Sequence, residues 1–382
     1  LGEPRTNMKI AMIGPVHPYK GGIAHYTDLL CRALREDGNE VQLYTFKFQY
    51  PKLLYKKPQK DMKSSGFGTN DADFCIHTLN PFNWIKVAGR IKKQKPELII
   101  LQWWHPYFAP CFWSICKLLR REKILFVCHN VFPHERFPLD RLLTKWTLGC
   151  GRYFITQSKM DARDLLSVKH DAVYRVTPHP TYGMFCRQGM SMQKAREQLQ
   201  IDQGQRVLLF FGFVRKYKGL QYLLEAMKLL KERDFKVQLW VVGDFGEDKE
   251  EYVEQIRAFE IGDQVQMVEG YVPDDEVEKY FAASDLVVLP YLSATQSGIV
   301  QIAFGFEKPV LVTEVGGLPD VVTNGKTGYV VEPRSAEMIA EAIMDYYINN
   351  RREAFVSQIE KEKDRFSWKT FVDTMMEMVR RD

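Results

Sequence analysis

Several glycine-containing or cationic turns directly follow apolar segments of the chain. Gly21-Gly22 comes after the apolar run MKIAMIG at 8–14, and Lys218, with Arg215 nearby, comes after a run that ends at Phe211. Glycines let a backbone approach a ligand closely, and the N-terminus of the following helix suits a phosphate. Cations at such a turn neutralise the charge that develops on a departing diphosphate. These turns therefore predict chemistry on a phosphate-bearing ligand.

The most informative segment is 290–331, PYLSATQSGIVQIAFGFEKPVLVTEVGGLPDVVTNGKTGYVV. It contains a polar loop at 295–298, a short apolar helix, a buried strand and the turn Gly316-Gly317. A loop that ends at a helix N-terminus presents unpaired N–H groups and the positive end of the helix dipole. The segment therefore predicts a site for an anion such as a diphosphate.

Other polar residues at strand ends are weaker candidates. His129 follows the apolar run 126–128, although a lone histidine is more often structural, and a Gly-Gly pair is often an ordinary turn. Asp244 and Glu247, after the run that ends at Gly243, are candidates for a sugar or ribose contact, with a solvated loop as the alternative. The sequence has no His-x-x-x-His spacing, no Ser-His-Asp order and no paired carboxylates suited to hydrolysis.

This order of elements resembles the donor-binding half of retaining GT-B glycosyltransferases, glycosyltransferase family 4. The resemblance is carried by Pro290, Pro309, VGGLPDVV…NGKTGYVV, the Gly-Gly turn and Lys218-Gly219. It implies an α/β fold of the GT-B type, in which two Rossmann-like domains face a central cleft. It also implies transfer of a sugar from a nucleotide diphosphate sugar to an acceptor hydroxyl, with anomeric retention and without an obligatory metal or other cofactor.

The same resemblance implies the donor site. Lys218 matches the family's lysine and is expected to stabilise the leaving diphosphate, with Arg215 assisting, because Phe213 occupies the family's usual arginine position. The resemblance places Gly21 and Gly22 beside the diphosphate and the acceptor, and the turn containing Val272 against the nucleotide base. The expected donor-binding residues are Gly21, Gly22, Gly212, Gly243, Val272, Thr295, Gln296, Ser297, Gly298, Ile299 and Gln301.

Family members similarly carry a histidine at the strand end occupied here by His129. The resemblance therefore assigns His129 to positioning of the donor sugar, with Asn130 and Glu135 as neighbours. The identities of the nucleotide base, the donor sugar and the acceptor stay open. A turn that contacts the base through its backbone distinguishes poorly between bases.

The largest departure from the family pattern concerns two glutamates that lie eight residues apart in most members. Their positions hold Ala294 and Ile302 here. The polar loop 295–298 can replace the first through hydroxyl, amide and backbone N–H groups. Gln301 can bind ribose only after a shift or rotation of its helix. A GT-B sugar-nucleotide epimerase or phosphorylase, or a catalytically silent partner subunit, therefore stays an alternative.

The periodicity predicts two successive series of strands and helices, and hence two Rossmann-like domains. We expect a first domain over 8–188, a second domain over 189–365, and a helix within 366–382. The family resemblance implies that this last helix packs on the first domain. Residues 48–80 are rich in Lys, Ser, Gly and Asn and predict a loop region. Strands are predicted at 8–14, 41–45, 97–101, 124–128, 153–156, 206–211, 237–242, 265–269, 286–289 and 310–313.

Charge divides the 382-residue chain unevenly. Residues 1–190 hold 29 Lys and Arg against 15 Asp and Glu, a balance of +14, and the remainder holds 24 against 33, a balance of −9. The segments 46–63 and 85–95 interleave Lys with apolar residues, which favours an anionic membrane surface, with a solvated face as the alternative. Nucleic acid is a poorer partner, because no nucleic-acid-binding motif is present.

The expected acceptor is a lipid-linked substrate or a glycan, as in family members that build envelope polysaccharides and glycolipids. The aromatic loop 103–107 lies in the half of the chain where the acceptor should dock. Its side chains either stack on sugar rings or belong to the core. Seven scattered cysteines without a Cys-x-x-Cys pair predict reduced thiols. No run of eighteen apolar residues occurs and residues 1–7 lack a signal pattern, so we expect a cytoplasmic protein, peripheral at the inner face of the membrane if the basic face binds lipid.

Overall fold

Strands and helices alternate along the chain, which divides into two compact units. The computed structural model describes residues 7–54, 58–61, 71–133, 136–182, 185, 189–246 and 248–381. The first unit comprises Leu1–Pro178 together with Ser367–Asp382, and the second unit comprises His179–Phe366. The first of these joints lies before the boundary that the sequence pattern placed at 188–189.

The first unit is built around parallel strands that are buried between helices. Buried runs such as Leu98–Trp103, which is apolar except for Gln102, form the central strands because both faces of each strand are covered. Its elements, up to the first joint, are β1 (Lys9–Ile13), α1 (Gly22–Glu36), β2 (Glu40–Phe48), β3 (Asp73–His77), α2 (Pro81–Gln94), β4 (Leu98–Trp103), α3 (Ala109–Leu118), β5 (Lys123–Cys128), α4 (Asp140–Leu148), β6 (Tyr153–Thr156), α5 (Lys159–Val168) and β7 (Val173–Val176).

The second unit repeats this alternation. Its β11 and β12, LVVL and VLVT, are fully buried runs of aliphatic residues, as expected for the centre of a parallel sheet. Its elements are α6 (Met192–Leu199), β8 (Val207–Phe211), α7 (Leu220–Glu232), β9 (Gln238–Gly243), α8 (Lys249–Ala258), β10 (Val265–Glu269), α9 (Asp274–Ala283), β11 (Leu286–Leu289), α10 (Gly298–Gly305), β12 (Val310–Thr313), α11 (Leu318–Val321), β13 (Gly328–Val331), α12 (Ala336–Ile348) and α13 (Arg352–Glu362).

Each unit contains one sheet with a Rossmann-like strand order. The first sheet runs β3-β2-β1-β4-β5-β6-β7 and the second β10-β9-β8-β11-β12-β13. All pairings between named strands that the structure describes are parallel. In both sheets the order reverses beside the first strand, which is the point where such sheets bind ligands. The predicted α/β class with two Rossmann-like halves is confirmed.

The first unit is completed by a helix that comes much later in the chain. This helix, α14 (Trp368–Arg380), packs against α1, β6 and β7. Its Trp368 and Phe371 rings lie 4.9 and 5.9 Å from the ring of Tyr26 on α1. The side chains Phe371, Val372, Met375, Met376, Met378 and Val379 are buried in the same core as strand residues of the first sheet.

Two expectations from the sequence differ from the structure. The loop predicted for 48–80 contains β3, a short strand whose pairing with β2 is interrupted by register shifts. The edge strands β7 and β13 also escaped prediction, because their four-residue runs are partly exposed. The part of the chain described here contains no helix long and apolar enough to cross a bilayer.

Candidate functional site

The candidate donor residues of the second unit lie at the carboxyl edge of its sheet. The turns after β8, β9 and β10 are joined by backbone hydrogen bonds of 2.9 Å, from Gly212 N–H to the carbonyl of Val242 and from Gly270 N–H to that of Gly243. The loop before α10 is joined to the turn after β12, because Gly317 N–H donates to the Thr295 carbonyl at 2.9 Å. The fold therefore brings Gly212, Gly243, the turn containing Val272, and the loop 295–298 to one edge.

Three cations follow β8, and their surroundings differ. Lys216 pairs with Asp248 and Glu251, each at 3.2 Å, on the surface. The Arg215 guanidinium donates to two backbone carbonyls, those of Val214 at 2.9 Å and Asp244 at 3.3 Å. Lys218 has no carboxylate within ion-pair distance among the described residues. Of the three, Lys218 is the cation best placed to meet an anionic ligand.

The ammonium of Lys218 rests on an aromatic ring that sequence reasoning did not single out. Its Nζ lies 3.7 Å from the centroid of the Tyr291 ring, and Tyr291 is fully buried. The two loops touch through their backbones, since Leu292 N–H donates to the Tyr217 carbonyl at 2.7 Å. The only sequence signal was an aromatic residue directly after Pro290 at a strand end, a pattern that also fits an ordinary core position.

Gly219 allows these two loops to approach so closely. Its φ is +72°, and a Cβ built there would lie 1.8 Å from the Pro290 carbonyl oxygen. Any side chain would therefore push the lysine loop away from the loop after β11. The glycine and the lysine before it act as one structural unit.

The N-terminus of α10 contains most of the remaining predicted residues. Ser297 occupies the N-cap position but makes no side-chain capping hydrogen bond to described residues; its Oγ lies 3.3 Å from the Tyr291 hydroxyl. Ile299 packs beside Gly212. Gln301 is 1% exposed, and its Oε1 has no hydrogen-bond partner among the described residues. The amide of Gln301 is thus buried in the unit, and reaching a ribose requires the helix movement noted above.

The glycine turn of the first unit occupies the start of α1. Gly21 is the N-cap residue, with φ of +111°, and Gly22 begins the helix. A Cβ at Gly21 would meet no described atom within 4 Å, so this glycine is required by its backbone conformation and not by close packing. The preceding residues are attached to the segment 58–61, since Lys20 N–H donates to the Gln59 carbonyl at 2.9 Å.

His129 lies at the carboxyl end of β5 in the first unit. Its Nε2 is 2.7 Å from the Gln102 Oε1, and its ring meets the Tyr26 ring edge-on at 4.6 Å. The imidazole is 4% exposed, so these contacts fix its orientation. Burial raises the pKa of the adjacent Cys128 thiol far above its usual range. Cys128 is therefore a protonated, inert thiol at neutral pH.

The aromatic loop predicted at 103–107 belongs mostly to the core. Trp103 is fully buried and donates its indole N–H to the Val131 carbonyl at 3.2 Å. Trp104 packs on Phe108 at 4.3 Å and donates to the Tyr50 hydroxyl at 3.1 Å. Of the two alternatives for these tryptophans, the structure supports the core.

Some candidates fall outside the described residues, and others have structural partners. Glu135 and Glu247 lie outside the described ranges, as does Cys186. The remaining six cysteines form no disulfides. Within the described ranges no group of three or more His, Cys, Asp or Glu side chains is arranged to hold a metal ion.

Comparison with known families covers most of the chain. Residues 20–180 match the family described as Glycosyltransferase Family 4, and residues 191–363 match Glycosyl transferases group 1. The chain belongs to this glycosyltransferase family. The recognition of family 4 from the sequence is therefore confirmed.

Curated relatives match over part of their length. A D-inositol 3-phosphate glycosyltransferase of Pseudarthrobacter chlorophenolicus is 32% identical over 156 residues, which is 40% of this chain and 37% of that protein. A lipopolysaccharide 1,2-N-acetylglucosaminetransferase of Salmonella typhimurium is 31% identical over 198 residues, covering 48% of this chain and 51% of the relative. The chain thus spans about two fifths to one half of the length of these curated relatives.

Solved structures match over the whole chain. Sucrose-phosphate synthase of Thermosynechococcus elongatus has a TM-score of 0.72 at 20% identity, covering 98% of this chain and 99% of that one. The Anabaena protein HepE in complex with UDP-glucose has a TM-score of 0.74 at 18% identity, covering 98% and 100%. At these identities the likeness shows the fold, and the GT-B prediction is confirmed.

Proposed function

We propose that this protein transfers a sugar from a nucleotide diphosphate sugar to an acceptor hydroxyl, with retention of anomeric configuration. The observation that carries the proposal is the position of Lys218. It is a cation without a carboxylate partner among the described residues, and it lies on Tyr291, whose hydroxyl is 3.3 Å from the N-cap residue Ser297 of α10. The neighbour HepE binds UDP and UDP-glucose, which supports a nucleotide sugar as the donor.

The proposed roles divide between groups that bind the diphosphate and groups that meet the sugar and the acceptor. The α10 N-terminus and Lys218 together suit a diphosphate, since both favour negative charge. Arg215, braced by two carbonyls, adds positive charge nearby. We assign His129 and the Gly21-Gly22 turn to the donor sugar and the acceptor. In front-face displacement the leaving phosphate accepts the acceptor proton, so the side chains orient and stabilise without acting as a nucleophile.

The decisive experiment is incubation with a panel of nucleotide sugars, followed by measurement of nucleotide release and by chromatography of the products. A transferase releases nucleotide diphosphate and hydrolyses its donor slowly without acceptor. An isomeric nucleotide sugar would identify an epimerase, and binding without turnover a silent subunit. Either outcome contradicts the proposal.

Two lysines on one loop provide a matched pair for the same assay. Lys218→Ala should lower kcat/KM by raising the activation barrier. The expected rise is about 2–4 kcal/mol, the range for losing one electrostatic stabiliser. Lys216→Ala should leave kcat/KM unchanged, because Lys216 already pairs with Asp248 and Glu251. Equal effects of the two substitutions, or none from Lys218→Ala, would contradict the role of Lys218.

For the acceptor, we propose a lipid-linked or polysaccharide-precursor substrate met at an anionic membrane surface. Helix α2 supports this proposal: Phe82 and Ile85 are 79% and 59% exposed, and Lys86 and Lys93 are exposed on the same helical face. An exposed apolar stripe flanked by lysines is typical of interfacial helices. On this proposal the protein acts peripherally at the inner face of the membrane, in envelope polysaccharide or glycolipid synthesis.

Vesicle co-sedimentation tests this second proposal. Protein should bind vesicles of phosphatidylcholine with about 30% phosphatidylglycerol at low salt, and dissociate at high salt, since each lysine near the surface contributes about 1 kcal/mol. No binding at low salt would mean that the basic face serves another partner. The nucleotide-sugar assay is independent of this result.

A further inference from the structure

Tyr291 contacts three separate segments of the second unit. Its ring lies under the Lys218 ammonium, with Nζ 3.7 Å from the ring centroid. Its hydroxyl is 3.3 Å from the Ser297 Oγ, and its carbonyl accepts a hydrogen bond from the Thr313 hydroxyl. A residue that is fully buried and held at three points has little freedom to move. Tyr291 therefore presents a fixed aromatic surface at the strand-end edge.

The backbones on both sides of this contact are fixed as well. Leu292 N–H donates to the Tyr217 carbonyl at 2.7 Å. Gly219 packs so closely against the Pro290 carbonyl that only a hydrogen atom fits in place of a side chain. The residues on either side of Lys218 are thus locked to the residues on either side of Tyr291. What stays adjustable is the long lysine side chain, whose four-carbon stem carries considerable rotamer entropy.

A second tyrosine provides an internal comparison. The Tyr217 ring centroid lies 5.3 Å from the same Nζ, against 3.7 Å for Tyr291. Attraction between a cation and an aromatic face weakens with distance and strengthens with loss of water. Tyr291 is fully buried, whereas Tyr217 is only half-buried. The closer and drier ring dominates the position of the ammonium.

We propose that Tyr291 is a positioning residue for Lys218, and that it links the lysine to the start of α10. The ring holds the ammonium in one place before an anion arrives, and the hydroxyl steadies Ser297 at the N-cap. A nucleotide diphosphate then meets a cation that is already oriented. This inference rests on the proposed function, since it concerns the same anion site.

The test measures binding of UDP, GDP and ADP by titration calorimetry, and steady-state kinetics with the best nucleotide sugar. Tyr291→Leu removes the aromatic face and should weaken binding of the preferred nucleotide diphosphate about tenfold. Tyr291→Phe keeps the ring and should stay within about threefold of the parent. Tyr217→Leu, the matched control, should also stay within about threefold. Unchanged or tighter binding by Tyr291→Leu would overturn the proposal.

A double-mutant cycle separates positioning from simple loss of structure. In a Lys218→Gln background, Tyr291→Leu should cause no further loss of nucleotide affinity, because the group it positions is gone. An equal loss in both backgrounds would mean that Tyr291 acts only through general stability. If Tyr291→Leu does not fold, the Tyr291→Phe variant decides: Lys218→Gln should weaken nucleotide binding as much in the Tyr291→Phe background as in the parent, because the ring is retained, and a smaller loss in that background would overturn the proposal.

The two proposals fail in different ways. If the parent protein binds none of the nucleotide diphosphates, the proposed function fails. If the parent binds one of them but shows no coupling between positions 218 and 291, only the positioning role fails.

Discussion

The two units are built alike but present different surfaces. Among the described residues the first unit exposes fifteen large apolar side chains, whereas the second exposes two, Phe213 and Ile348. The sequence halves 1–190 and 191–382 correspond approximately to the two units. Their net charges are +14 and −9, respectively. One architecture thus supports a basic, partly apolar surface in one unit and a compact cationic site within an acidic half in the other.

Glycines at the first strand end of each unit show the same contrast on a smaller scale. Gly21 has φ of +111° and open space around its missing Cβ, whereas Gly219 has φ of +72° and would place a Cβ 1.8 Å from a backbone oxygen. The first turn is open and the second is closed by its neighbouring loop. The difference indicates that the lysine loop is shaped by packing, and the glycine turn by its own backbone.

The largest expected effect comes from substituting these two glycines. Gly219→Ala should destabilise the protein by about 5 kcal/mol or more, because both the left-handed backbone and the contact with Pro290 resist a methyl group. Gly21→Ala should cost about 1–3 kcal/mol from backbone conformation alone, because its φ of 111° and ψ of 162° fall in a region that is essentially confined to glycine. Chemical denaturation measures both. Similar losses in the two variants would show that the lysine loop is not closed by packing.

The next effect concerns pH, because each unit buries an ionisable group whose pKa is shifted to about 7. In the first unit burial raises the pKa of Asp161 from 3.8 to about 7. Between these values the folded state holds a proton that the unfolded state has lost, so the contribution of Asp161 to stability falls as pH rises through this window. In the second unit burial, reinforced by Arg352, lowers the pKa of Lys308 from 10.5 to about 7. Here the unfolded state holds the extra proton, so stability increases as pH rises from about 7 to 10.

Single substitutions should remove each trend separately. A rise of the Asp161 pKa from 3.8 to about 7 corresponds to about 4 kcal/mol, so Asp161→Asn should gain stability relative to the parent between pH 4 and 7. Lys308→Met should abolish the increase in stability above pH 7. The same substitution also leaves the carbonyls of Ala282 and Ser284 without their lysine donor. Thermal unfolding across pH checks both variants. Parallel curves for parent and variant would contradict the assignment to these groups.

The smallest expected effect distinguishes the two surfaces directly. Ile85 on α2 and Ile348 at the end of α12 are both 59% exposed. Ile85→Ser should weaken binding to anionic vesicles about fivefold, equivalent to about 1 kcal/mol, because it removes apolar area from the interface. Ile348→Ser should leave vesicle binding unchanged. Equal behaviour of the two variants would remove the basis for assigning the membrane surface to α2.

Parts of the fold were predictable because local sequence determined them. The strands β11 and β12 begin and end where their apolar runs do, since burial on both faces requires unbroken aliphatic residues. The strand β3 was not predictable, because DFCIH is short, is half exposed, and pairs irregularly with β2. Its existence depends on the sheet edge that receives it.

The candidate site shows the same limit. Lys218 could be selected from its place after a strand and before a glycine. The importance of Tyr291 could not, because a tyrosine after a buried strand fits any core, and only folding brings its ring under the ammonium. The different roles of Arg215 and Lys216 also emerged only from their partners, two carbonyls and two carboxylates respectively.

The late position of α14 has a consequence for how the protein is made. The ribosome completes every strand of the first unit early, yet α1 then lacks the helix that covers Tyr26 and its neighbours. The second unit needs no later segment and can close its core while the first is still waiting. The core of the first unit is therefore complete only once Trp368–Arg380 has been made. During that interval the uncovered face of α1 is where a chaperone has apolar surface to hold.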